Sequence, residues 1–263
     1  MKRLIISISM LLLSVVVVFA IQISTDSKRL ILNERLHYKV KWGLITIGTA
    51  SASTDKRIFK IGSDLCCKIE LKAQTNGLAR LFYMKNHWVS YATLNSISTC
   101  KSLRSISEGK YRLEEIVDFN SEKKQAALRE YDKTSNKYVL KNLYETPERT
   151  RDVVAGFMLI RIIDFSTLQN GDRIRIDGFY KKEGYKIDVI YAGKEYLKTA
   201  KGKILCHKIK PIVPKNKVFD GVDAVEVWLT ADKTQYIVFA RAQLVFGDLE
   251  MELVSPEKHK VKN

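Results

Sequence analysis

ERLHYKVKWGLITIGTASAS, residues 34–53, alternates so strictly that it decides the fold class. Leu36, Tyr38, Val40 and Trp42 fall on one side of an extended chain, and His37, Lys39 and Lys41 fall on the other. That is the pattern of an antiparallel strand with one face on a core. Gly43 and Gly48 interrupt the run, and glycine's access to positive φ suits both to a reversal, so residues 49–54 should return beside the first strand. A phosphate-cradling loop would have to open a helix. Thr49-Ala50-Ser51-Ala52 is a poor helix start, so the glycines read as turn residues.

The same texture runs outward through segments near 57–62, 65–74, 87–94, 99–106, 110–119, 124–131 and 137–143, each bounded by Asp, Asn, Gly or Ser. Residues 76–83 (NGLARLFY) carry Leu78, Leu81 and Phe82 at helical spacing and read as one short turn packed on the sheet. After Pro147 the pattern changes: DVVAGFMLIRII, residues 152–163, is apolar nearly all round and has the length of a buried helix, with Asp152 placed to cap it. Strands resume near 172–180, 184–192, 195–200, 203–212, 224–231, 235–242 and 245–254. The plan is mainly β: large antiparallel sheets, as a β-sandwich or half-open barrel, with one buried helix (150–164) between two runs of strands (34–145 and 171–254). No internal repeat of fixed period is evident. Pro211 and Pro214 with Lys215, Asn216 and Lys217 mark an exposed loop.

At 263 residues, 46% of them hydrophobic, the chain can bury a real core and is not disordered. Lys2 and Arg3 precede an apolar stretch from Leu4 to Ala20, which is a secretory signal pattern, and Val18 and Ala20 suit cleavage after Ala20. The rival reading is an uncleaved anchor in the inner membrane, and both place the β-rich region, residues 28–255, in the periplasm. The formal charge is +16, and cleavage would lower it by only two. So basic a body favours anionic envelope surfaces as partners, and export argues against nucleic acid; scattered lysines also serve plain solubility. Residues 256–263 look like a basic tail.

Cys66, Cys67, Cys100 and Cys206 are the four cysteines. Neighbours in a strand point to opposite faces, so at most one of Cys66 and Cys67 can meet a given partner. A bridge from either to Cys100 would close a loop of about 34 residues; four buried thiols acting as small apolar groups remain the alternative.

Four stretches together resemble the domain-of-unknown-function 3108 family of exported bacterial proteins: YKVKWGLITIG (38–48); NGLARLFY with Tyr91 after it; DVVAGFMLIR (152–161) followed by Asn170-Gly171-Asp172; and VWLTAD (227–232) with LVFGDLEMEL (244–253). The resemblance implies an envelope or periplasmic location and a β-rich fold whose apolar concave face is partly helix-covered. It implies no activity and transfers no catalytic residue.

Little in the chain speaks for catalysis. His37, His87, His207 and His259 do not combine with carboxylates or cysteines into a recognisable constellation, Cys206 and His207 face opposite ways, and no metal or cofactor motif occurs. The aromatic and aliphatic residues hold more promise. A helix laid over a sheet in a basic exported protein can cover an apolar concavity lined by Trp42, Trp88, Phe157 and Met158, with Gly156 allowing close approach to the sheet. The leading expectation is therefore a binding or carrier protein for a lipid or another amphiphile. An envelope assembly factor docking another protein stands second, and an enzyme acting on envelope glycan or lipid third.

Overall fold

The computed structural model describes residues 25, 30–76, 83–180, 182–199, 202–212, 221 and 224–258. The expected signal segment, residues 77–82 of the expected short turn, and most of the loop after Pro211 lie outside the described residues. The first half of the chain forms β1 (Glu34–Trp42), β2 (Ile45–Ile61), β3 (Asp64–Thr75), β4 (Met84–Thr93), β5 (Thr99–Glu108), β6 (Tyr111–Asn120), β7 (Gln125–Asp132) and β8 (Lys137–Glu145). Helix α1 (Val153–Ile160) and a 3-10 turn (Phe165–Thr167) follow. The second half forms β9 (Arg173–Tyr180), β10 (Glu183–Thr199), β11 (Gly202–Pro211), β12 (Val225–Thr230), β13 (Ile237–Leu244) and β14 (Gly247–Lys258).

All fourteen strands join one antiparallel sheet in the order β8-β7-β6-β5-β4-β3-β2-β1-β14-β13-β12-β11-β10-β9. Two meanders thus meet where the first strand pairs with the last, from Glu34↔Lys258 to Trp42↔Leu249. The basic tail expected from residue 256 consequently begins inside β14. The sheet is neither a sandwich nor a ladder-closed barrel. Its two ends are brought together by side chains: Phe179 of β9 packs on Val117, Phe119, Leu128 and Tyr144 of β6–β8. Arg151 adds a short parallel bridge to β9, its carbonyl accepting from Phe179 N at 2.8 Å.

A six-strand unit occurs twice, although no repeat stands out in the sequence. β2 and β10 are each 17 residues long, and each is bent by an irregularity opposite its partner hairpin strand, between Thr54 and Ile58 and between Tyr191 and Lys194. β4 and β12 carry matching bulges, at Tyr91/Ala92 and Trp228/Leu229. Two residues before the next strand, Ile97 and Gln235 both adopt positive φ, 51° and 42°. The one sequence echo is Leu65-Cys66-Cys67-Lys68-Ile69 in β3 against Leu205-Cys206-His207-Lys208-Ile209 in β11.

Helix α1 lies where expected, with Asp152 as its N-cap accepting from Ala155 N at 2.7 Å. Its apolar surface fills the concave side: Val154, Ala155, Met158 and Leu159 are buried with Ile69 of β3, Ile174 and Ile176 of β9, Ile209 of β11 and Leu229 of β12. Two arginines flank it and reach corresponding turns of the two units. Arg151 donates to Ser96 O at 2.8 Å, and Arg161 donates to Thr234 O at 3.3 Å. Arg161 also pairs with Glu34 of β1 at 2.6 Å, both side chains being almost wholly buried.

Three local expectations are corrected. Segments 49–54 and 57–62 are one strand, as are 184–192 and 195–200, because the intervening Asp55-Lys56-Arg57 and Ala192-Gly193 form bulges, not turns. Gly43 does turn the chain (φ 56°), but Gly48 sits inside β2, where a Cβ would run into the Gln74 carbonyl. Gly156 is no close-approach residue, since a Cβ there would meet nothing within 4 Å.

Removing one member of the Arg161–Glu34 pair should be far worse than removing both. Arg161→Ala strands a buried carboxylate and is expected to cost ~3–5 kcal/mol, whereas Arg161→Met with Glu34→Leu should recover most of that loss. Urea unfolding of the two variants beside the wild type measures the difference.

Candidate functional site

Register sets the geometry of the inner face. Leu71, Trp88, Arg104, Glu115 and Glu130 form one row across β3 to β7. One row nearer the β5–β6 turn stand Asn86, Ile106 and Leu113, and beyond them the turn pair Glu108 and Tyr111. These rows line an open groove of about 390 Å³, walled by Trp88, Ile106, Tyr111 and Leu113, with Lys182 from the β9–β10 turn across from them. That volume is in the range of small-ligand sites. Its charges are internally matched, Arg104 with Glu115 at 2.6 Å and Lys182 with Glu130 at 3.2 Å. Inward, the groove shares Trp88, Arg104, Glu115 and Lys182 with a small recess of about 30 Å³ that ends at Asp152 and Val153 of α1. The recess has room for little more than water.

Asp152 is half-buried there, packed closely by protein. Burial pushes its pKa up to about 6, against the lowering effect of hydrogen bonds from Ala155 N and the Thr99 hydroxyl. The protonated carboxyl is thus favoured in the folded chain well above the pH at which a free aspartate ionises.

The four residues expected to line one concavity are distributed over three places. Met158 is 3% exposed and belongs to the solid core. Phe157 packs against that core and against Leu36, Tyr38 and Ala52 of β1 and β2. Trp88 lines the groove. Trp42 is 45% exposed at the far end of β1, and its ring meets Phe246 edge-on at 6.1 Å. Helix α1 therefore plugs the concavity instead of roofing it, and the open space lies beside its N-terminus. Arg104, Ile106, Leu113 and Lys182 went unnoticed in the sequence because only strand register aligns them with Trp88.

The opposite face of β1–β4 is polar. His37, Ser51, Lys72 and His87 make one row and Lys39, Thr49, Gln74 and Lys85 the next, together lining a broader open groove of about 670 Å³. Glu70 stands beside them, bonded by Lys68, Lys72 and His87. His207, the remaining described histidine, is a core group, stacked on Phe165 and hydrogen-bonded to Tyr191. No cluster of three or more His, Cys, Asp or Glu among the described residues could hold a metal ion.

The sequence match now has a structural frame. The profile of a family described as proteins of unknown function, DUF3108, matches residues 37–254, nearly the whole strand-rich region. The chain belongs to the DUF3108 family. Among solved structures it is similar to a β-barrel-like protein of a domain of unknown function, DUF1849, from Brucella abortus. That likeness has a TM-score of 0.51 at 7% identity and covers 88% of this chain and 99% of that one. A weaker likeness, with a TM-score of 0.33 at 11% identity, joins it to a protein with a YmcC-like fold from Bacteroides fragilis over 87% and 97% of the two chains. No curated protein matches it. Membership and fold agree, and neither supplies a reaction.

The cysteines are more informative than the histidines. Cys67 points into the core, and burial pushes its pKa up to about 11. Cys66 points the other way, and its sulfur lies 2.9 Å from that of Cys100, with all four cysteines in the thiol form. The bulge at Tyr91/Ala92 slides β5 so that Cys100 meets a residue two strands away. The sulfurs need to close by only ~0.9 Å to reach bonding distance. Equilibration with oxidised and reduced glutathione should therefore yield a Cys66–Cys100 linked peptide on non-reducing mapping, with Cys67 and Cys206 still alkylatable. A Cys67–Cys100 peptide would contradict the geometry.

Asp152 sets a second expectation. Its folded pKa lies above the unfolded one, so the folded chain holds the extra proton between the two values and stability falls as pH rises from ~4 to ~6. Asp152→Asn keeps an N-cap oxygen. Urea unfolding across that range should show the wild type losing stability relative to the variant, with a constant difference above it.

Proposed function

We propose that the chain is an exported protein of the bacterial envelope that binds a lipid or another amphiphile in the groove beside Trp88. The observation that carries this is the groove's composition: Trp88, Ile106, Tyr111 and Leu113 present apolar surface, while Arg104 and Lys182 offer cations within the same walls. An apolar chain can lie along β5 and β6, and an anionic head can compete with Glu115 or Glu130 for the cations. Export is supported by the basic and apolar pattern of residues 2–20. No helix among the described residues is long and apolar enough to cross a membrane.

A second reading, an assembly factor that docks an envelope protein, is favoured by the edge strand β8. It exposes Tyr138, Val139, Leu140 and Leu143 beside unpaired backbone groups, and such an edge invites another strand. An enzyme acting on envelope material finds no nucleophile–base pair in the groove.

Titration of delipidated protein with a fluorescent fatty acid tests the binding reading. Wild type should saturate, and Leu113→Lys, which places a charge on the groove wall, should weaken binding about tenfold, or ~1.4 kcal/mol. Phe157→Ala should act on stability instead, lowering it by roughly 3 kcal/mol with little change in affinity. Absence of saturable binding by wild type would return the field to the β8 edge.

A further inference from the structure

The β1–β14 ladder sets two turns side by side. Gly43 N donates to Asp248 O at 3.2 Å, and the indole of Trp42 donates to Phe246 O at 3.2 Å. Gly247, with φ 118°, is a glycine because a Cβ there would approach Trp42 Nε1 to 2.7 Å. The platform so fixed is apolar and bare: Leu44 is fully exposed, and Trp42, Ile45, Val245 and Phe246 are 45–65% exposed. Scattered surface hydrophobics need no explanation, but five on two touching turns form a contiguous patch.

Antiparallel connectivity brings more of the same to this end. The β3–β4 connection and the β5–β6 turn lie there too, adding exposed Tyr83 and Tyr111, with the Arg112 guanidinium 5.7 Å from the Tyr83 ring. Cations surround the patch. Lys39, Lys85 and Lys110 are exposed and have no carboxylate partner among the described residues. Of the acids of the neighbourhood, Glu252 pairs with Lys41 and Glu250 with Arg241, and Asp248 lies 3.9 Å from Arg241, whereas exposed Glu108 accepts from the neutral Asn86 amide and keeps its charge.

We propose that this end of the sheet docks on an anionic lipid bilayer, with Leu44, Val245 and Phe246 entering the acyl boundary. Trp and Tyr side chains suit the interface between hydrocarbon and headgroups, and unpaired lysines around an apolar tip suit anionic headgroups. A bilayer asks for an apolar tip ringed by excess cations more than for a fitted shape, and here Lys39, Lys85 and Lys110 outnumber the uncompensated Glu108, on a chain whose net charge is +16. The groove's outer residues, Glu108 and Tyr111, stand at the same end, so a lipid leaving the bilayer has a short path to Trp88. That last link rests on the binding role proposed above; the docking surface does not.

The test uses chain purified after export, and vesicles of phosphatidylcholine with and without phosphatidylglycerol. Trp42 is the exposed one of three tryptophans, and Trp42→Phe isolates its emission. The wild type should bind the phosphatidylglycerol vesicles with a blue-shifted Trp42 signal, quenched by lipids brominated on the acyl chain and weakened by salt. Leu44→Asp with Phe246→Asp changes only turn residues and should reduce binding at least about tenfold while circular dichroism is unchanged. Equal vesicle binding by that variant, an unquenched Trp42, or no binding at all would overturn the proposal. So would concentration-dependent dimerisation that the variant abolishes in the absence of vesicle binding. Failure of the groove reading looks different: Leu113→Lys should leave vesicle binding intact, and the turn variant should still bind a soluble short-chain amphiphile.

Discussion

The ladder between β1 and β14 is the constraint on which the remaining structure depends. Each run of strands on its own is an open meander with an exposed edge, and the pairing of residues 34–42 with 249–258 converts two such edges into the middle of one sheet. It also sets Glu34 where Arg161, at the end of α1, can reach it in a buried pair. Contacts this far apart in sequence carry a heavy loop-closure cost and form late, so each half must be competent to hold its own hairpins first.

Duplication explains how two halves so unlike in sequence fit together. The bulges at Tyr91/Ala92 and Trp228/Leu229, with positive φ at Ile97 and Gln235, bend each unit at the same place and present a turn carbonyl inward. Arg151 and Arg161 bracket α1 and satisfy those two turns, so the helix is a pin between units as well as a plug. The buried arginine at its C-terminal end is stabilised by the charge of Glu34. Arg151 finds carbonyl oxygens, and burial lowers its pKa.

Alternation and apolar periodicity made most strands, and α1 with its Asp152 cap, readable from the sequence, because they depend on neighbours two to four residues away. Three kinds of feature were not readable. Bulges such as Asp55-Lys56-Arg57 carry turn-like residues, and only the partner strand shows that the ladder resumes. Gly48 looks like a turn glycine, yet its small size serves the approach of the Gln74 carbonyl. Residues assembled by register, such as Trp88 with Arg104 and Glu115, or Leu44 with Phe246, are separated by up to some two hundred positions and share no local pattern. The short echo of LCCKI in LCHKI was a visible trace of the duplication, too brief to stand out without the matching bulges.

The division of the surface follows from the same register. A strand gives alternate residues to opposite faces, so β1–β4 present Tyr38, Ala50, Ala73 and Asn86 inward and His37, Lys39, Lys72 and Lys85 outward. Rows of one face end at a turn, and a turn cannot bury its residues within the sheet. Whatever sits there meets solvent or another body. At most turns of this sheet the chain places polar residues such as Asp132, Asn120 and Asp232, which bond their own turns. At the β1–β2 and β13–β14 turns it places Leu44, Val245 and Phe246 and fixes them with Trp42 and Gly247. Keeping such groups in water forfeits roughly 25 cal/mol for each Å² of apolar area left unburied, and a rigid platform cannot fold them away. The arrangement makes physical sense when that area is buried against something apolar, and the free lysines beside it select a surface of opposite charge.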